Sequence, residues 1–203
     1  MAPCAQDALS AQLIQRGGFD TMMLSGFCLA ASKGMPDTGL ASYGEALAAL
    51  HEVTAVASAD TAVIMDGDTG FGNEVNAKRM IKGFARAGAA AVMNEDQTFP
   101  KRCGYTAGKE EPGKGVVPRP EALSRVLAAC DARREGADTL ILARTDALGP
   151  LGLDEAIARC RAFRELGADI THISGLKSEE ECRRMTSLIA RPASSTTTCS
   201  RAR

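Results

Sequence analysis

Short apolar runs alternate with amphipathic stretches along this chain, and this alternation limits its fold more than any other feature. Five apolar runs have the length of buried strands, at 21–24, 62–65, 89–96, 139–143 and 170–173. Five amphipathic stretches have helical spacing, at 42–58, 74–87, 121–134, 153–166 and 178–190, and Asp7 can cap a further helix that ends near Arg16. Strands that alternate with helices favour a parallel sheet, either doubly wound or closed into a barrel.

Polar residues recur where the predicted strands end. Four glycines end predicted helices, and a polar residue follows each after 7 or 8 positions: Ser25 after Gly18, Glu95 after Gly88, Arg144 after Gly136 and Ser174 after Gly167. Both architectures place ligands at the carboxyl ends of strands. No GxxxxGK[ST] motif occurs and GFGNEV is not G-x-G-x-x-G, which disfavours a nucleotide-binding doubly wound fold. The predicted fold class is therefore α/β of the TIM-barrel (β/α)8 type, with about six βα units.

The stretch TAVIMDGDTGFG at 61–72 is the strongest candidate for a metal site. It is an apolar run that ends in Asp66 and Asp68 and continues into a glycine-rich turn. In an extended chain, side chains at i and i+2 point to the same side, so both carboxylates can reach one point. A hard cation such as Mg²⁺ suits that point. A capped turn with solvated carboxylates is the alternative that an isolated D-x-D pair leaves open.

Composition excludes several function classes. Of the 203 residues, 45% are hydrophobic and 24% are charged, enough for a full core in one domain. The net charge of -1 gives no general attraction to nucleic acid or to an anionic membrane. No apolar run reaches about 18 residues, and the N-terminus lacks a basic segment followed by an apolar one. We therefore expect a soluble protein in the cytoplasm, or in an organelle, with no nucleic-acid or membrane partner.

The cysteines and histidines argue against a zinc or disulfide scaffold. Seven cysteines are spread along the chain with no C-x-x-C pair, and there are only two histidines. A reducing compartment fits this pattern. His51 is predicted to lie in a helix, and for His172 core packing and substrate contact are left open.

Six motifs together carry a family resemblance. They are SG at Ser25, PD at Pro36, DGDTGFGN from Asp66, EDQ from Glu95, PKRCG from Pro100 and ARTDA from Ala143. In this order they resemble the isocitrate lyase and phosphoenolpyruvate mutase superfamily, in particular its 2-methylisocitrate lyase-like branch. The resemblance extends from Pro3 to about Ile189. It implies a (β/α)8 barrel, a divalent metal and chemistry on small 2-oxo or 2-hydroxy carboxylic acids.

The resemblance also implies roles for individual residues. The metal, Mg²⁺ with Mn²⁺ as an alternative ion, would be held directly or through water by Asp66, Asp68, Asp37 and Glu95. The substrate carboxylates would contact Ser25, Gly26, Phe27, Gly104, Arg144 and Ser174. The catalytic group would be Cys103, Lys101, Arg144 and Glu95.

Cys103, the cysteine of the PKRCG motif, indicates a lyase. The implied reaction is retro-aldol cleavage of a 2-hydroxy di- or tricarboxylate, in which Cys103 supplies the proton that the departing carbanion needs. Lys101 and Arg102 beside it are expected to favour its thiolate, so that the residue can serve as acid and base. The mutase branch lacks this cysteine.

Several positions depart from the lyase pattern. Tyr105 stands where the lyases usually carry histidine, and Ser174 and Gly175 stand where they tend to carry glutamate. The polar segment 97–119 has no apolar period and is predicted to be a mobile lid. These departures leave oxaloacetate decarboxylation or hydrolysis, and phosphonate chemistry, open as alternatives.

The end of the chain suggests a partial barrel. A complete barrel needs about 250 residues, whereas the sequence after the sixth unit becomes RPASSTTTCSRAR. Residues 1–190 are predicted to form a partial TIM-barrel catalytic domain, and 191–203 a disordered tail. A complete barrel would be expected to form a homodimer or homotetramer. An inactive, C-terminally truncated remnant that binds a metal carboxylate is the third functional hypothesis.

Overall fold

One parallel sheet carries the fold. A computed structural model describes residues 1–103 and 115–189. Its six strands are β1 (Cys4–Ala5), β2 (Thr21–Leu24), β3 (Ala62–Asp66), β4 (Ala91–Glu95), β5 (Leu140–Thr145) and β6 (Ile170–Ile173), paired in that order. Every strand pairs in parallel with the next strand along the chain. This sequential order is that of a TIM barrel, since doubly wound sheets reverse direction at a switch point. The predicted fold class is confirmed, with six βα units in the described residues.

Helices follow the strands as the pattern predicts. They are α1 (Ala8–Arg16), α2 (Gly26–Ser32), α3 (Tyr43–Val56), α4 (Glu74–Arg86), α5 (Arg119–Arg134), α6 (Leu148–Leu151), α7 (Leu153–Leu166) and α8 (Glu179–Ile189). The predicted strands and helices agree with these bounds to within two residues. The five predicted strands omit β1, and the predicted helices omit α2 and α6. All three elements are short, and α6 contains Gly149 and Pro150, two poor helix formers.

Local signals at the helix ends explain this agreement. The side chain of Asp7 accepts a hydrogen bond from the backbone N–H of Ser10, and the side chain of Ser10 accepts one from the backbone N–H of Asp7. Ser42 begins α3 and Asn73 begins α4 with the same reciprocal bonding. The four predicted stop glycines adopt φ between 83° and 111°, a region that glycine enters without steric cost.

The core lies between the sheet and its helices. Strand residues such as Leu24, Met65 and Ile141 are fully buried against helix residues such as Leu50 and Phe84. A second cluster packs α7 and α8 against the carboxyl end of β6. The carboxyl ends of the strands are therefore held on a close-packed scaffold.

The two ends of the predicted lid are tied to the barrel. Gln97, Lys101 and Cys103 are buried before residues 104–114, and Val117 is buried after them. The N–H of Thr98 donates to the carbonyl of Gly115 at 3.0 Å, beside an antiparallel bridge between Gln97 and Val116. The predicted mobility of the lid centre, including the Gly104 position, and the predicted tail at 191–203 lie outside the described residues. No helix in the described ranges is long and apolar enough to span a membrane.

Candidate active site

Asp66 and Asp68 meet at the end of β3, but not by the geometry that the sequence suggested. Asp68 has φ of 46°, so the chain is no longer extended there and the i, i+2 argument is wrong for this pair. The left-handed turn is held because the carbonyl of Asp68 accepts bonds from Asn94 Nδ2 at 3.0 Å and from the N–H of Glu95 at 2.9 Å. Asp66 Oδ2 accepts the N–H of Gly26 at 3.0 Å, and its Oδ1 accepts the N–H of Asp68 at 3.1 Å.

Gly26 shows that the two carboxylates still converge. A Cβ atom added to Gly26 would lie 2.5 Å from Asp68 Oδ1 and 3.3 Å from Asp66 Oδ2. Both oxygens therefore border one small space at the start of α2. A glycine is required at this position because any side chain would fill that space.

Substituting Gly26 with alanine is expected to weaken Mg²⁺ binding by about tenfold or more, since disturbed ligand geometry typically costs this much. Titration calorimetry of the purified chain measures the effect. Gly149→Ala is the matched control, because an added Cβ there meets nothing within 4 Å. Equal Mg²⁺ affinity in both variants would contradict the assignment of this space to a cation.

Lys101 joins three loops through its ammonium group. Its Nζ lies 2.6 Å from Asp37 Oδ1 and also bonds Asp68 Oδ1, while its side chain is 5% exposed. Burial alone would lower the pKa of Lys101, but the nearby Asp68 and Asp66 carboxylates outweigh burial and raise it. Lys101 therefore stays charged. Its bonds to Asp37 and Asp68 connect the PD motif to the candidate metal ligands.

Arg144 connects β4, β5 and β6 at their carboxyl ends. Its Nη1 lies 3.0 Å from Glu95 Oε2, and its Nε and Nη2 donate to the two oxygens of Asp146 at 3.0 Å each. Its Nη2 also lies 3.4 Å from Ser174 Oγ. Through Nε and Nη2 the guanidinium forms a two-bond pair with the Asp146 carboxylate, which fixes its orientation. The structure thus brings Glu95, Arg144 and Ser174 into contact at the strand ends.

Negative charge exceeds positive charge in this group. The carboxylates of Asp37, Asp66, Asp68, Glu95 and Asp146 face the two cations Lys101 and Arg144. Burial and repulsion from Asp66 raise the pKa of Asp68 to about 7. Burial, with repulsion from Asp146 and Asp66, raises that of Glu95 to about 8, although Arg144 opposes the shift. Buried carboxylates that resist ionisation are stabilised by an added cation.

The carboxylate oxygens of this group fit a Mg²⁺ site in which the protein supplies only a few of the ligands. These donor oxygens are all from carboxylates, which a hard cation prefers. Among the residues that the structure describes, no three His, Cys, Asp or Glu side chains are placed to bind one ion together. Asp37 in particular faces Lys101. One or two direct carboxylates with waters completing the shell match the usual Mg²⁺ site.

The raised pKa values predict how stability changes with pH. A carboxyl group whose pKa is higher in the folded chain contributes its full stability below its unfolded pKa of about 3.9, and loses it as the pH rises through about 7. The metal-free chain is therefore expected to melt roughly 5 °C lower at pH 8 than at pH 5. Because Mg²⁺ replaces the lost protons, it should restore the melting temperature at pH 8 and have little effect at pH 5. Scanning calorimetry tests this, and a rise of stability with pH would contradict it.

The remaining predicted site residues differ in how the structure places them. Cys103 is 8% exposed and follows Lys101 by two positions. The Lys101 ammonium itself binds the Asp37 and Asp68 carboxylates. Ser25 begins α2 without a side-chain bond to that helix, while Phe27 on its first turn is 39% exposed. His172 is exposed, so the core-packing interpretation for it is wrong.

Comparisons with known proteins identify the family of this chain. The family model described as phosphoenolpyruvate phosphomutase matches residues 1–201. The chain belongs to the phosphoenolpyruvate phosphomutase family. Among curated proteins, 2,3-dimethylmalate lyase of Eubacterium barkeri is 40% identical over 190 residues, which are 93% of this chain and 63% of that protein. The chain thus spans less than two thirds of that relative's length.

Several solved structures superpose on this chain. The crystal structure of 2,3-dimethylmalate lyase, a PEP mutase/isocitrate lyase superfamily member, has a TM-score of 0.87 at 37% identity, over 93% of this chain and 62% of that one. Oxaloacetate acetylhydrolase bound to 3,3-difluorooxalacetate has a TM-score of 0.87 at 34% identity, over 93% and 63%. Phosphonopyruvate hydrolase in complex with oxalate and Mg²⁺ has a TM-score of 0.79 at 32% identity, over 94% and 64%.

Sequence reasoning missed residues that organise this phosphoenolpyruvate phosphomutase family site. Asp146 holds Arg144, and Gln97 donates to Glu95 Oε1 at 2.6 Å while its own Oε1 accepts the N–H of Arg102 at 3.1 Å. Both belong to motifs that carried the resemblance, EDQ and ARTDA. Their position directly beside predicted site residues was the available signal.

Proposed function

We propose that this chain contributes the active site of a Mg²⁺-dependent carbon–carbon lyase that cleaves a small 2-hydroxy di- or tricarboxylate by retro-aldol chemistry. The observation that carries the proposal is a group of buried carboxylates that outnumber the cations around them. These carboxylates lie beside an arginine whose orientation is fixed. Asp66, Asp68 and Glu95 supply the carboxylates, and Arg144 supplies the carboxylate-binding guanidinium. The similarity to 2,3-dimethylmalate lyase supports a branched malate-type or 2-methylisocitrate-type substrate.

The cation is proposed to be Mg²⁺, with Mn²⁺ as an alternative. Support comes from the phosphonopyruvate hydrolase solved with oxalate and Mg²⁺, and from the oxygen-only donor set of this chain. When bound, Mg²⁺ would polarise substrate oxygen atoms and stabilise negative charge that develops on them. Asp66 and Asp68 would hold it, with Glu95 and Asp37 acting through water.

Arg144 is proposed to bind a substrate carboxylate. Its guanidinium is held before substrate arrives, because Asp146 engages two of its donors and Glu95 a third. A held donor loses little entropy on binding and keeps its charge directed at the substrate. The Ser25 hydroxyl, the Gly26 N–H and Ser174 are proposed as further contacts; the Gly26 N–H is shared with Asp66.

Cys103 is proposed to complete the reaction by proton transfer. A base accepts the proton of the substrate hydroxyl, the carbon–carbon bond breaks, and its electron pair remains on the departing carboxylate half. The Cys103 thiol gives its proton to that carbon and becomes a thiolate, which is reprotonated before the next turnover. Lys101 fixes the segment that leads to Cys103 through its bonds to Asp68 and Asp37.

A hydrolase is the second candidate. The similarity to oxaloacetate acetylhydrolase and to phosphonopyruvate hydrolase favours cleavage of a 2-oxo acid by water at the same site. Oxaloacetate decarboxylation belongs to this alternative. A small-molecule carboxylate partner, homo-oligomeric assembly and a cytoplasmic location are proposed with either reaction.

A panel of acids separates the candidates. The purified chain is incubated with Mg²⁺ and 2-methylisocitrate, isocitrate, 2,3-dimethylmalate, oxaloacetate or phosphonopyruvate, and products are followed by NMR. Cleavage of a 2-hydroxy acid into two carbonyl or carboxylate products is the expected result. Turnover of only oxaloacetate or phosphonopyruvate would favour the hydrolase. Mg²⁺ binding without turnover of any acid would favour the inactive barrel remnant and overturn the lyase.

A further inference from the structure

Arg159 is a buried cation outside the group of predicted site residues. It projects from α7, and only 2% of it is exposed. Its Nη1 lies 3.0 Å from Asp96 Oδ2 and donates to the carbonyl of Val117 at 2.9 Å, while its Nε donates to Glu155 Oε1 at 2.9 Å. Burying an ion pair rarely adds stability beyond what an apolar pair would give. Stabilisation of the fold is therefore not a sufficient reason for burying this ion pair.

Asp96, the partner of Arg159, fixes the turn that follows β5. Its Oδ2 also accepts the hydroxyl of Thr145 at 2.6 Å, and its Oδ1 accepts the N–H of Asp146 at 2.9 Å. Its backbone carbonyl accepts the N–H of Val117 at 2.9 Å. One aspartate thus joins the end of β4, the turn after β5 and the chain that returns from residue 115.

The turn held by Asp96 sets the orientation of Arg144. The N–H of Asp146 donates to Asp96, and the two carboxylate oxygens of Asp146 accept bonds from the guanidinium of Arg144. A shift of this turn therefore moves the carboxylate that fixes Arg144, and with it the contact to Glu95. A misplacement of about 1 Å in a substrate-orienting group can cost roughly a hundredfold in rate.

We propose that Asp96 and Arg159 are positioning residues that set the direction of the Arg144 guanidinium through Asp146. Neither touches the substrate. This inference rests on the proposed function for the contribution of Arg144 to binding. Asp96 and Arg159 also bond the backbone of Val117. They therefore fix the segment that leads into α5 relative to Arg144.

Oxalate, with Mg²⁺ present, is the probe of the test. In Arg159→Met, the buried Asp96 loses its cation, the turn relaxes, and the Kd for oxalate measured by calorimetry is expected to rise by about 10- to 100-fold, the usual range for outer-shell partners. If the panel yields a substrate, kcat/KM should fall by a similar factor. Arg159→Lys keeps the charge and should recover part of the loss. Asp96→Asn is a second variant, because asparagine keeps nearly the shape of aspartate but carries no charge.

Arg133→Met is the matched control. Arg133 on α5 bonds Asp169 and the carbonyl of Gly167, and so forms an interelement ion pair at the opposite, amino-terminal end of the strands. The Arg133→Met substitution is expected to lower the melting temperature without changing the affinity for oxalate. Unchanged oxalate affinity in folded Arg159→Met, or an equal loss in Arg133→Met, would overturn the inference.

Amide hydrogen exchange separates this inference from the proposed function. Faster exchange of the Asp146 and Val117 amides in Arg159→Met, but not in Arg133→Met, is expected because both amides bond to Asp96. If the unsubstituted chain bound no oxalate, the proposed function would fail and the exchange result would still decide the positioning role. Equal exchange in both variants would overturn that role.

Discussion

Cys103→Ser is expected to abolish carbon–carbon cleavage while Mg²⁺ binding continues. A serine hydroxyl is a far weaker acid than a thiol, so in the proposed reaction the departing carbanion would lose its proton donor, and general acid catalysis of this kind contributes about 10²- to 10⁴-fold. Because Cys103 is no member of the carboxylate group, Mg²⁺ affinity should stay within about twofold. The acid that turns over in the panel provides the rate, and calorimetry provides the affinity.

Cys182→Ser is the control for this substitution. Cys182 is an exposed free thiol on α8, so its loss should leave both turnover and Mg²⁺ affinity unchanged. Unchanged turnover in Cys103→Ser would remove the acid–base role of this cysteine. It would leave the metal and arginine assignments standing and would favour the hydrolase.

Arg144→Met is expected to have the second large effect, on both catalysis and folding. Removing a preorganised donor to substrate charge costs about 10²- to 10³-fold in rate. Glu95 and Asp146 also lose their common cation in a buried setting, and breaking such a pair costs about 3 kcal/mol of unfolding free energy. Mg²⁺ affinity should stay equal or rise, since a competing positive charge has gone.

Arg144→Lys separates charge from geometry. Lysine keeps the positive charge but cannot donate two parallel bonds to Asp146 or to a carboxylate, so stability should largely return while turnover does not. Arg183→Met, which removes an arginine paired with Glu179 on the solvent side of α8, should change neither quantity. Activity of Arg144→Met close to that of the unsubstituted chain would contradict a substrate contact at this arginine. Chemical denaturation and steady-state kinetics measure the two effects.

The element pattern was predictable because its causes are local. Reciprocal caps at Asp7, Ser42 and Asn73 begin helices, and glycines such as Gly88 and Gly167 end them. These signals act over a few residues and can be identified in the sequence. The polar residues at strand ends then followed from the common direction of parallel strands.

The contacts within the site were less predictable because they join distant segments. Asp68 was expected on an extended chain, yet bonds from Asn94 and Glu95, 26 and 27 residues later, hold it in a left-handed turn. The ammonium of Lys101 bonds Asp68 and Asp37, which lie on other loops. Neither pairing has a sequence period, since each depends on where separate loops meet.

By itself the sequence determined the α/β barrel type, the family and which acidic and basic residues lie at the strand ends. It could do so because strand and helix periods and short motifs are properties of neighbouring residues. Only the tertiary structure decided how those groups are paired: Arg144 with Glu95 and Asp146, and Arg159 with Asp96 beneath them. The physical reason is burial, because a charge removed from water must find its partner in space, and that partner can lie anywhere along the chain.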